Sequence, residues 1–353
     1  MCNRLHNDAY LMRLFFLKYV IGYTCEGRKN NMATIKDVAK LANVSVATVS
    51  RYLNKSGYVG DQAKQAIEQA IATLEYRPNQ IARSLTKKQL KTIGLIVPDI
   101  TNPFFPELAR AIEDVALKEG YTVILCNSDE QREKELQYIE SLQQKYIAGF
   151  IIATNQLPKE QYRSLNVPVV LLDRVLDADL PSVTSQNELG AKMAVDYLIE
   201  KQAQEILFIS GPNDLEPVQQ RLAGFKKATV GMTIHIYESP FDFIAAEKVA
   251  FDALRKHPTV DAVFASSDII AFGVLKAANK LKIAVPKDLQ VIGFDGIALG
   301  EIVTPGLTTI AQDIYALGET AANMLVTLIK GEILQQEQEM IATKLVIRET
   351  TKE

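Results

Sequence analysis

The sequence predicts a small all-α head followed by an α/β core of two doubly wound parallel-sheet sub-domains. Before residue 77, short apolar runs recur at helical spacing, whereas after Thr92 apolar strands alternate with amphipathic helices. Such alternation is typical of parallel sheets covered by helices. Residues 92–353 are more than one sheet of this kind usually needs, so we expect two sub-domains with a cleft between them.

Charge is divided unevenly between the two parts. The chain has 353 residues and a net charge of −3. Residues 32–91 carry ten Lys or Arg against four Asp or Glu, whereas residues 92–353 carry 24 against 36. A basic head on an acidic body is typical of a protein that binds nucleic acid and has a separate second function.

The stretch TIKDVAKLANVSVATVSRYLN at residues 34–54 predicts two short helices joined by a tight turn. Ser45 is expected to cap the second helix. The apolar faces of the two helices consist of Ile35, Val38, Ala39 and Leu41, and of Val49, Tyr52 and Leu53. The outward face of the second helix has small residues, hydroxyls and Arg51, which suits the DNA major groove. An ordinary helical hairpin is the alternative that these residues leave open.

Two further segments complete the expected head. Residues 61–75 predict a third helix, with Asp61 as its cap, that closes a bundle within residues 32–76. Residues 77–91, RPNQIARSLTKKQLK, form a link in which Pro78 begins a short helix. A helix of this length is not stable alone in water, so it needs the same segment of a second chain or a DNA groove. A flexible basic tether is the alternative.

Residues 1–31 are expected to be a non-native extension ahead of a natural start at Met32. The apolar run at 9–23 contains Arg13 and Lys18, is too short to span a bilayer comfortably, and is not followed by a cleavage site. A membrane-tethering segment is the minority interpretation. The three cysteines and three histidines have no metal-like spacing. We therefore expect no metal site, no cofactor and a reducing, cytoplasmic location.

Seven apolar runs of the core predict buried parallel strands: TIGLIVP, TVILC, GFIIA, VPVVLLD, EILFIS, DAVFAS and LQVIGFD. Amphipathic helices are predicted between and after them, at residues 105–119, 133–145, 188–200, 218–228, 243–256, 268–281 and 313–330. The core contains no GxGxxG, no phosphate-binding P-loop and no GxSxG motif. A sugar-acting α/β enzyme is therefore the less favoured class.

Aromatic and polar side chains lie where the predicted strands end, which is where ligands of such folds bind. Aromatic rings can cover the C–H faces of a polyhydroxyl ligand, while charged and amide groups bind its hydroxyls. Each residue alone has an ordinary alternative, as a core residue, an ion pair or a helix cap. The candidates are Asn102, Phe104, Phe105, Asp173, Arg174, Arg221, Phe241, Ser267, Asp295 and Gln312.

Several stretches together resemble the lac repressor family of bacterial transcription regulators. They are TIKDVAKLANVSVATVSRYLN, YRPNQIARSL, VPDITNPFF, LLDR, FASSD, VIGFDG and LTTIAQ, and the match covers residues 33 to about 350. Within the family the closest similarity is to repressors of ribose operons, and the core also resembles periplasmic ribose-binding proteins. The resemblance implies a repressor, not an enzyme, whose operator affinity is controlled by a small sugar. Ribose is the expected effector, and sucrose or fructose the alternative.

The resemblance also assigns roles to residues. Val46, Ala47 and Arg51 match base-reading positions, and the positions near phosphates are Thr34, Ser45, Thr48, Ser50 and Asn54. Asn79, Ala82 and Leu85 match a hinge helix in the minor groove, where Leu85 would kink the DNA. The candidates at the strand ends match sugar-contacting positions. Ser267 departs from the pattern, since the ribose-binding fold usually has Asn there, which weakens the case for ribose.

A homodimer follows from the same resemblance, because two heads read the two halves of a near-palindromic operator. Its hinge helices form only on DNA, and a sugar that closes the core sub-domains lowers DNA affinity. Some family members respond to the small molecule with the opposite sign, so the sign stays open, as does any protein coregulator. The end of the chain, LVIRETTKE, has no heptad leucines for a tetramer. Other classes considered are a periplasmic sugar-binding protein and a purine-responsive regulator.

Overall fold

A computed structural model describes residues 33–76, 91–154, 156–173 and 180–353 of the chain. The chain divides into two compact units, with the boundary between Lys87 and Lys88. The predicted N-terminal extension and the hinge helix lie outside the described residues.

The head unit is a three-helix bundle, formed by α1 (Ile35–Leu41), α2 (Val46–Asn54) and α3 (Asp61–Thr73). Its core consists of Val38, Ala39, Ala42, Val49, Ile67 and Ala70. The Ser45 hydroxyl accepts a hydrogen bond from the Thr48 amide at 3.1 Å, so the predicted cap of α2 is confirmed. Lys55, in the left-handed conformation at φ 50°, ends this helix.

Two local predictions for the head are wrong. Leu41 is 52% exposed, and Ala42 takes its place in the core, because α1 ends at Leu41 and the chain turns there. Asp61 is the first residue of α3 and not its cap; Gly60 occupies the cap position without a side-chain hydrogen bond.

The first sheet of the core contains β1 (Thr92–Val97), β2 (Thr122–Asn127), β3 (Gly149–Ile152), β4 (Val169–Leu172), β5 (Ser182–Ser185) and β11 (Gln338–Ile341). The second contains β6 (Glu205–Ser210), β7 (Thr233–Glu238), β8 (Ala262–Ala265), β9 (Gln290–Asp295), β10 (Thr308–Gln312) and β12 (Thr343–Val346). Their orders are β11-β5-β4-β3-β1-β2 and β12-β10-β9-β8-β6-β7. Strands pair in parallel, except that β12 runs antiparallel to β10.

Helices cover both faces of each sheet, as a doubly wound fold requires. They are α4 (Phe104–Lys118), α5 (Arg132–Gln143), α6 (Lys159–Arg163), α7 (Asn187–Glu200), α8 (Glu216–Ala228), α9 (Phe243–Lys256), α10 (Asp268–Leu281), α11 (Leu299–Ile302) and α12 (Ile314–Ile329). The predicted fold class is confirmed, and each of the seven predicted strands is present. The prediction that all seven are buried is wrong for β2, which is mostly exposed because it forms an edge of its sheet.

The chain crosses between the two sheets at three places in the described core. These crossings lie between β5 and α7, between β10 and α12, and between β11 and β12. Each sub-domain is therefore assembled from separate parts of the sequence, and α12 packs on β3, β4 and β5 of the first sheet. Short connections of this kind allow two sub-domains to move as rigid bodies. Within the described residues, no helix has the length and apolar character needed to cross a bilayer.

Candidate functional site

A cavity of about 490 Å³ lies between the two sub-domains, at the carboxyl ends of their strands. Loops that follow β1, β2 and β4 form one wall, and loops that follow β6, β7 and β9 form the other. The predicted residues that line it are Asn102, Phe104, Phe105, Asp173, Arg221, Phe241, Asp295 and Gln312. The side chains that were predicted to gather at the carboxyl ends of the strands, from separate parts of the sequence, therefore lie together in one cavity.

Arg221 is the fixed cation of the cavity and is 4% exposed. Its Nε donates to Asn187 Oδ1 at 2.9 Å, and its Nη1 donates to the Ser266 carbonyl at 2.6 Å. The guanidinium also lies 3.8 Å from the centroid of the Phe294 ring, and Nη1 is 3.4 Å from Asp295 Oδ1. These contacts hold the guanidinium plane in one orientation, which suits bidentate binding of ligand oxygens.

Asp295 and Gln312 form a second polar group beside Arg221. Gln312 Nε2 donates to Asp295 Oδ1 at 2.7 Å, which leaves Gln312 Oε1 buried without a hydrogen-bond partner in the described structure. Asp173 Oδ1 is also buried and lacks a partner among the residues described. Unpaired buried acceptors are costly, so their presence in a cavity indicates a ligand that donates hydrogen bonds.

The backbone is strained at the same two carboxylates. Asp173 has φ +65° and Asp295 has φ +115°, values that non-glycine residues rarely adopt. Each lies immediately after or at the end of a strand, β4 or β9. Strain of this kind persists where the surrounding structure imposes it, and it concentrates at binding sites.

A second buried carboxyl, Asp268, supports the loop that carries Asp295. Asp268 Oδ2 accepts the amides of Gly296 and Ile297, each at 2.8 Å, and Oδ1 accepts the Thr309 hydroxyl at 2.6 Å. Burial raises the pKa of both Asp268 and Asp295 above the usual range of an aspartate. Repulsion from Asp295 raises the pKa of Asp268 further, while Arg221 opposes the rise for Asp295.

Aromatic rings supply the apolar part of the cavity. The Phe104 and Phe105 rings meet edge to face, with centroids 5.1 Å apart, at the start of α4. Phe241 approaches Gly211 so closely that a Cβ there would lie 2.4 Å from the ring, so a larger residue at this position would displace the Phe241 ring. Such faces suit the C–H surfaces of a sugar ring.

In the head, α2 has an outward face that is free of core contacts. Ser45, Val46, Ala47, Arg51 and Asn54 are exposed. The Ser45 and Thr48 hydroxyls lie 2.8 Å apart, and Asn54 Nδ2 donates to Ser50 Oγ at 3.2 Å. At the start of α1, the Thr34 amide and hydroxyl both donate to Asp37 Oδ2. The face thus combines small side chains with polar groups along its edge.

Comparison with known proteins identifies the family. Residues 34–79 match the family described as bacterial regulatory proteins, lacI family, and residues 195–351 match a periplasmic binding protein-like domain. A ribose operon repressor of Halalkalibacterium halodurans is 49% identical over 323 residues, which are 91% of this chain and 98% of that protein. One from Bacillus subtilis is 42% identical over 91% of this chain and 99% of that protein. The chain belongs to the lac repressor family.

Solved structures of the same family agree with this assignment. The lac repressor dimer bound to operator and an anti-inducer has a TM-score of 0.83 and 26% identity, covering 90% of this chain and 99% of that chain. A lac repressor family regulator of Enterococcus faecium with bound ribose has a TM-score of 0.68 and 30% identity, covering 74% and 98%. An Alkaliphilus metalliredigens regulator complexed with D-xylulofuranose has a TM-score of 0.71 and 36% identity, covering 75% and 100%. The chain is thus a DNA-binding regulator and not an enzyme.

One predicted cavity residue is placed elsewhere, and four predicted site residues are not tested by the structure. Ser267 does not line the cavity; it is 1% exposed and its hydroxyl accepts the Ile270 amide at 3.2 Å, which caps α10. Arg174, Asn79, Ala82 and Leu85 lie outside the described residues. The acidic cavity residues that the sequence reasoning missed are Asp99, Asp129, Glu130, Asp214 and Asp242. Three of these, Asp99, Asp129 and Glu130, closely follow β1 or β2, so the same strand-end rule could have found them.

Proposed function

We propose that this protein is a transcriptional repressor that binds an operator through α2 and releases or retains it in response to ribose. The observation that best supports ribose as the effector is the 49% identity to a ribose operon repressor over 98% of that protein. The ribose-bound relative of the same fold supports it. Operator DNA lies in the bacterial cytoplasm, so we place the protein there.

The charges around the cavity support a neutral sugar over a phosphorylated one. Among the described lining residues, carboxylates outnumber the single cation, Arg221. These carboxylates are Asp99, Asp129, Glu130, Asp173, Asp214, Asp242 and Asp295. A phosphate group in the cavity would meet strong like-charge repulsion, whereas sugar hydroxyls can donate to the carboxylates. Asp173 Oδ1 and Gln312 Oε1 are acceptors that two sugar hydroxyls would pair.

The head is proposed to read DNA with α2 in the major groove. Val46, Ala47 and Arg51 contact base edges, since small side chains permit close approach and Arg can chelate guanine O6 and N7. Phosphate contacts come from Thr34, Ser45, Thr48, Ser50 and Asn54. Asn79, Ala82 and Leu85 are proposed to act in the hinge as the family resemblance implies.

Two chains are proposed to form the working unit. The edge strand β2 exposes Ile124 and Leu125, which are 37% and 41% accessible, and Leu117 of the adjacent helix α4 is 65% accessible. An uncovered apolar strand edge is a liability that proteins normally cover. A second copy is the proposed cover, since the lac repressor of similar fold is a dimer on its operator.

Sugar and operator are proposed to act on one equilibrium. Sugar that bridges the two cavity walls favours closed sub-domains, and closure changes the support that the core gives to the paired hinges. By linkage, operator must change sugar affinity by the same factor as sugar changes operator affinity. A protein coregulator could add to this equilibrium without changing that reciprocity.

The test is calorimetric titration of the full chain with ribose, D-xylulose, fructose, sucrose, ribose 5-phosphate and hypoxanthine. We expect ribose to bind most tightly and ribose 5-phosphate to bind at least about 10-fold more weakly because of the cavity charge. Tightest binding of the phosphosugar or hypoxanthine would overturn the proposal. D-xylulose is the second candidate because a relative was solved with D-xylulofuranose.

An Asp173→Asn variant tests whether the sugar binds at the Asp173 carboxylate. Losing one hydrogen bond to a charged acceptor costs about 1.5–3 kcal/mol, so ribose affinity should fall about 10-fold or more. Asp252→Asn is the matched control, because Asp252 is exposed on α9 and is not among the cavity residues. Equal affinities for the two variants would place the sugar elsewhere.

A further inference from the structure

A cluster of three potential metal ligands lies at the other end of the second sheet from the cavity. Glu205 begins β6, His235 lies on the edge strand β7, and His257 directly follows α9 as its C-cap. One ligand atom from each lies within 4.8 Å of the others, and all three residues are half-buried. Six-residue β6 separates Glu205 from the cavity wall by roughly 17 Å at 3.3 Å per residue.

In each of the two imidazole rings, one nitrogen already has a hydrogen-bonding neighbour. His235 Nε2 lies 2.6 Å from Glu205 Oε1, and His257 Nε2 lies 2.9 Å from the Tyr237 hydroxyl. The two imidazoles stack with centroids 3.6 Å apart and planes 21° apart. Two of the chain's three histidines are therefore in direct contact, although 22 positions separate them in the sequence.

The stack keeps imidazole lone pairs available. Two imidazolium cations at this distance would repel each other strongly, and only Glu205 lies beside them as an anion within the cluster. Imidazole nitrogens and carboxylate oxygens both bind transition metals, and this cluster brings one such atom from each of its three residues within 4.8 Å of the others.

We propose that Glu205, His235 and His257 bind one divalent transition-metal ion, such as Zn²⁺. Two imidazoles and one carboxylate are a ligand set that zinc accepts, with water in the fourth position. The ion would displace the proton shared by His235 Nε2 and Glu205 Oε1, and this proton would pass to solvent. Nδ1 of His257 would be its ligand atom, because its Nε2 lies 2.9 Å from the Tyr237 hydroxyl and would donate to it in the metal-bound tautomer. The bound ion would tie β6, β7 and the end of α9 together.

The test is Zn²⁺ titration of the untagged full chain after dialysis against a chelator. We expect one strong site, a higher Tm with Zn²⁺, and at least about 10-fold weaker binding for Glu205→Gln and for His257→Gln. His6→Gln is the matched control, because it removes the histidine outside the cluster. Wild-type Zn²⁺ affinity in both cluster variants, or no binding by the wild type, would overturn the proposal.

Histidine NMR gives a readout that does not depend on stability. With ¹³C-labelled histidine, the three rings give three Cε1 resonances. Paramagnetic Ni²⁺ should broaden two of them, those lost in His235→Gln and His257→Gln, before it affects the one lost in His6→Gln. Uniform broadening of all three resonances would show nonspecific binding and reject the site. Ribose binding should be the same with and without Zn²⁺, which separates this site from the cavity.

Discussion

At the scale of single residues, chemistry at strand ends was predictable from the sequence, but individual partners were not. Eight predicted side chains line the cavity because the carboxyl ends of parallel strands converge. The sequence could not show whether Ser267 binds the sugar or caps a helix, since a residue at a strand end can also cap the helix that follows. Contact between His235 and His257 depends on strand order, which no local pattern encodes.

Arg51 provides the first residue-scale prediction. Arg51→Ala should weaken operator binding by about 1–3 kcal/mol and relax preference at one base pair, because a bidentate contact to guanine is lost. The measurement is a fluorescence anisotropy titration against operators with each base pair changed in turn. Lys64→Ala removes the same charge from exposed α3 and serves as control. An equal loss of affinity for every sequence would make Arg51 a phosphate contact.

Asp268 provides a prediction about pH. Its pKa is raised by burial, so the folded state holds a proton that an unfolded aspartate has already released. Between the two pKa values the unfolded state binds fewer protons, and the contribution of Asp268 to stability therefore falls as pH rises. Asp268→Asn should flatten this fall between pH 5 and 8, as measured by urea unfolding followed by circular dichroism. Asp252→Asn, at an exposed position on α9, should leave the wild-type slope; an unchanged slope in Asp268→Asn would contradict the assignment.

At the scale of elements, burial decided which segments could be predicted. The strands β3, β4 and β8 are buried along their whole length and were evident as short apolar runs. In contrast, β11 and β12 are partly exposed and carry Gln, Glu, Thr and Lys, so their sequences resemble loops. These strands form because partners β5 and β10 offer open edges, which is a tertiary cause.

Ser267 distinguishes an element-scale role from a ligand role. Ser267→Ala should lower the free energy of unfolding by about 1 kcal/mol, because α10 loses its N-cap acceptor. Ribose affinity should change by less than about 3-fold, since its hydroxyl is committed to the Ile270 amide. Ser267→Asn, which can also cap, should recover most of the stability. A 10-fold loss of ribose affinity at unchanged stability would instead make Ser267 a sugar ligand.

At the scale of the whole core, the cavity and the three crossings belong together. Asn187 and Gln312 each lie at a crossing. Asn187 accepts a hydrogen bond from Arg221, and Gln312 donates one to Asp295. A ligand that pairs Asp173 on one side with Gln312 on the other would therefore act directly on the connections between sub-domains. The sequence predicted the two sub-domains, but the repeated exchange of chain between them became evident only from β11 and α12.

The exposed edge of the first sheet gives the whole-molecule prediction. Leu125→Arg places a charge on β2, and two such charges would face each other across a symmetric dimer, so association should weaken. Sedimentation should show a monomer at concentrations where the wild type is a dimer, and operator affinity should fall because one head reaches only one half-site. Ribose binding should persist, since Leu125 is not among the cavity residues. Ile199→Arg, on the exposed side of α7, should leave both association and operator binding unchanged. A Leu125→Arg protein that remains dimeric would show that the second copy docks on another face.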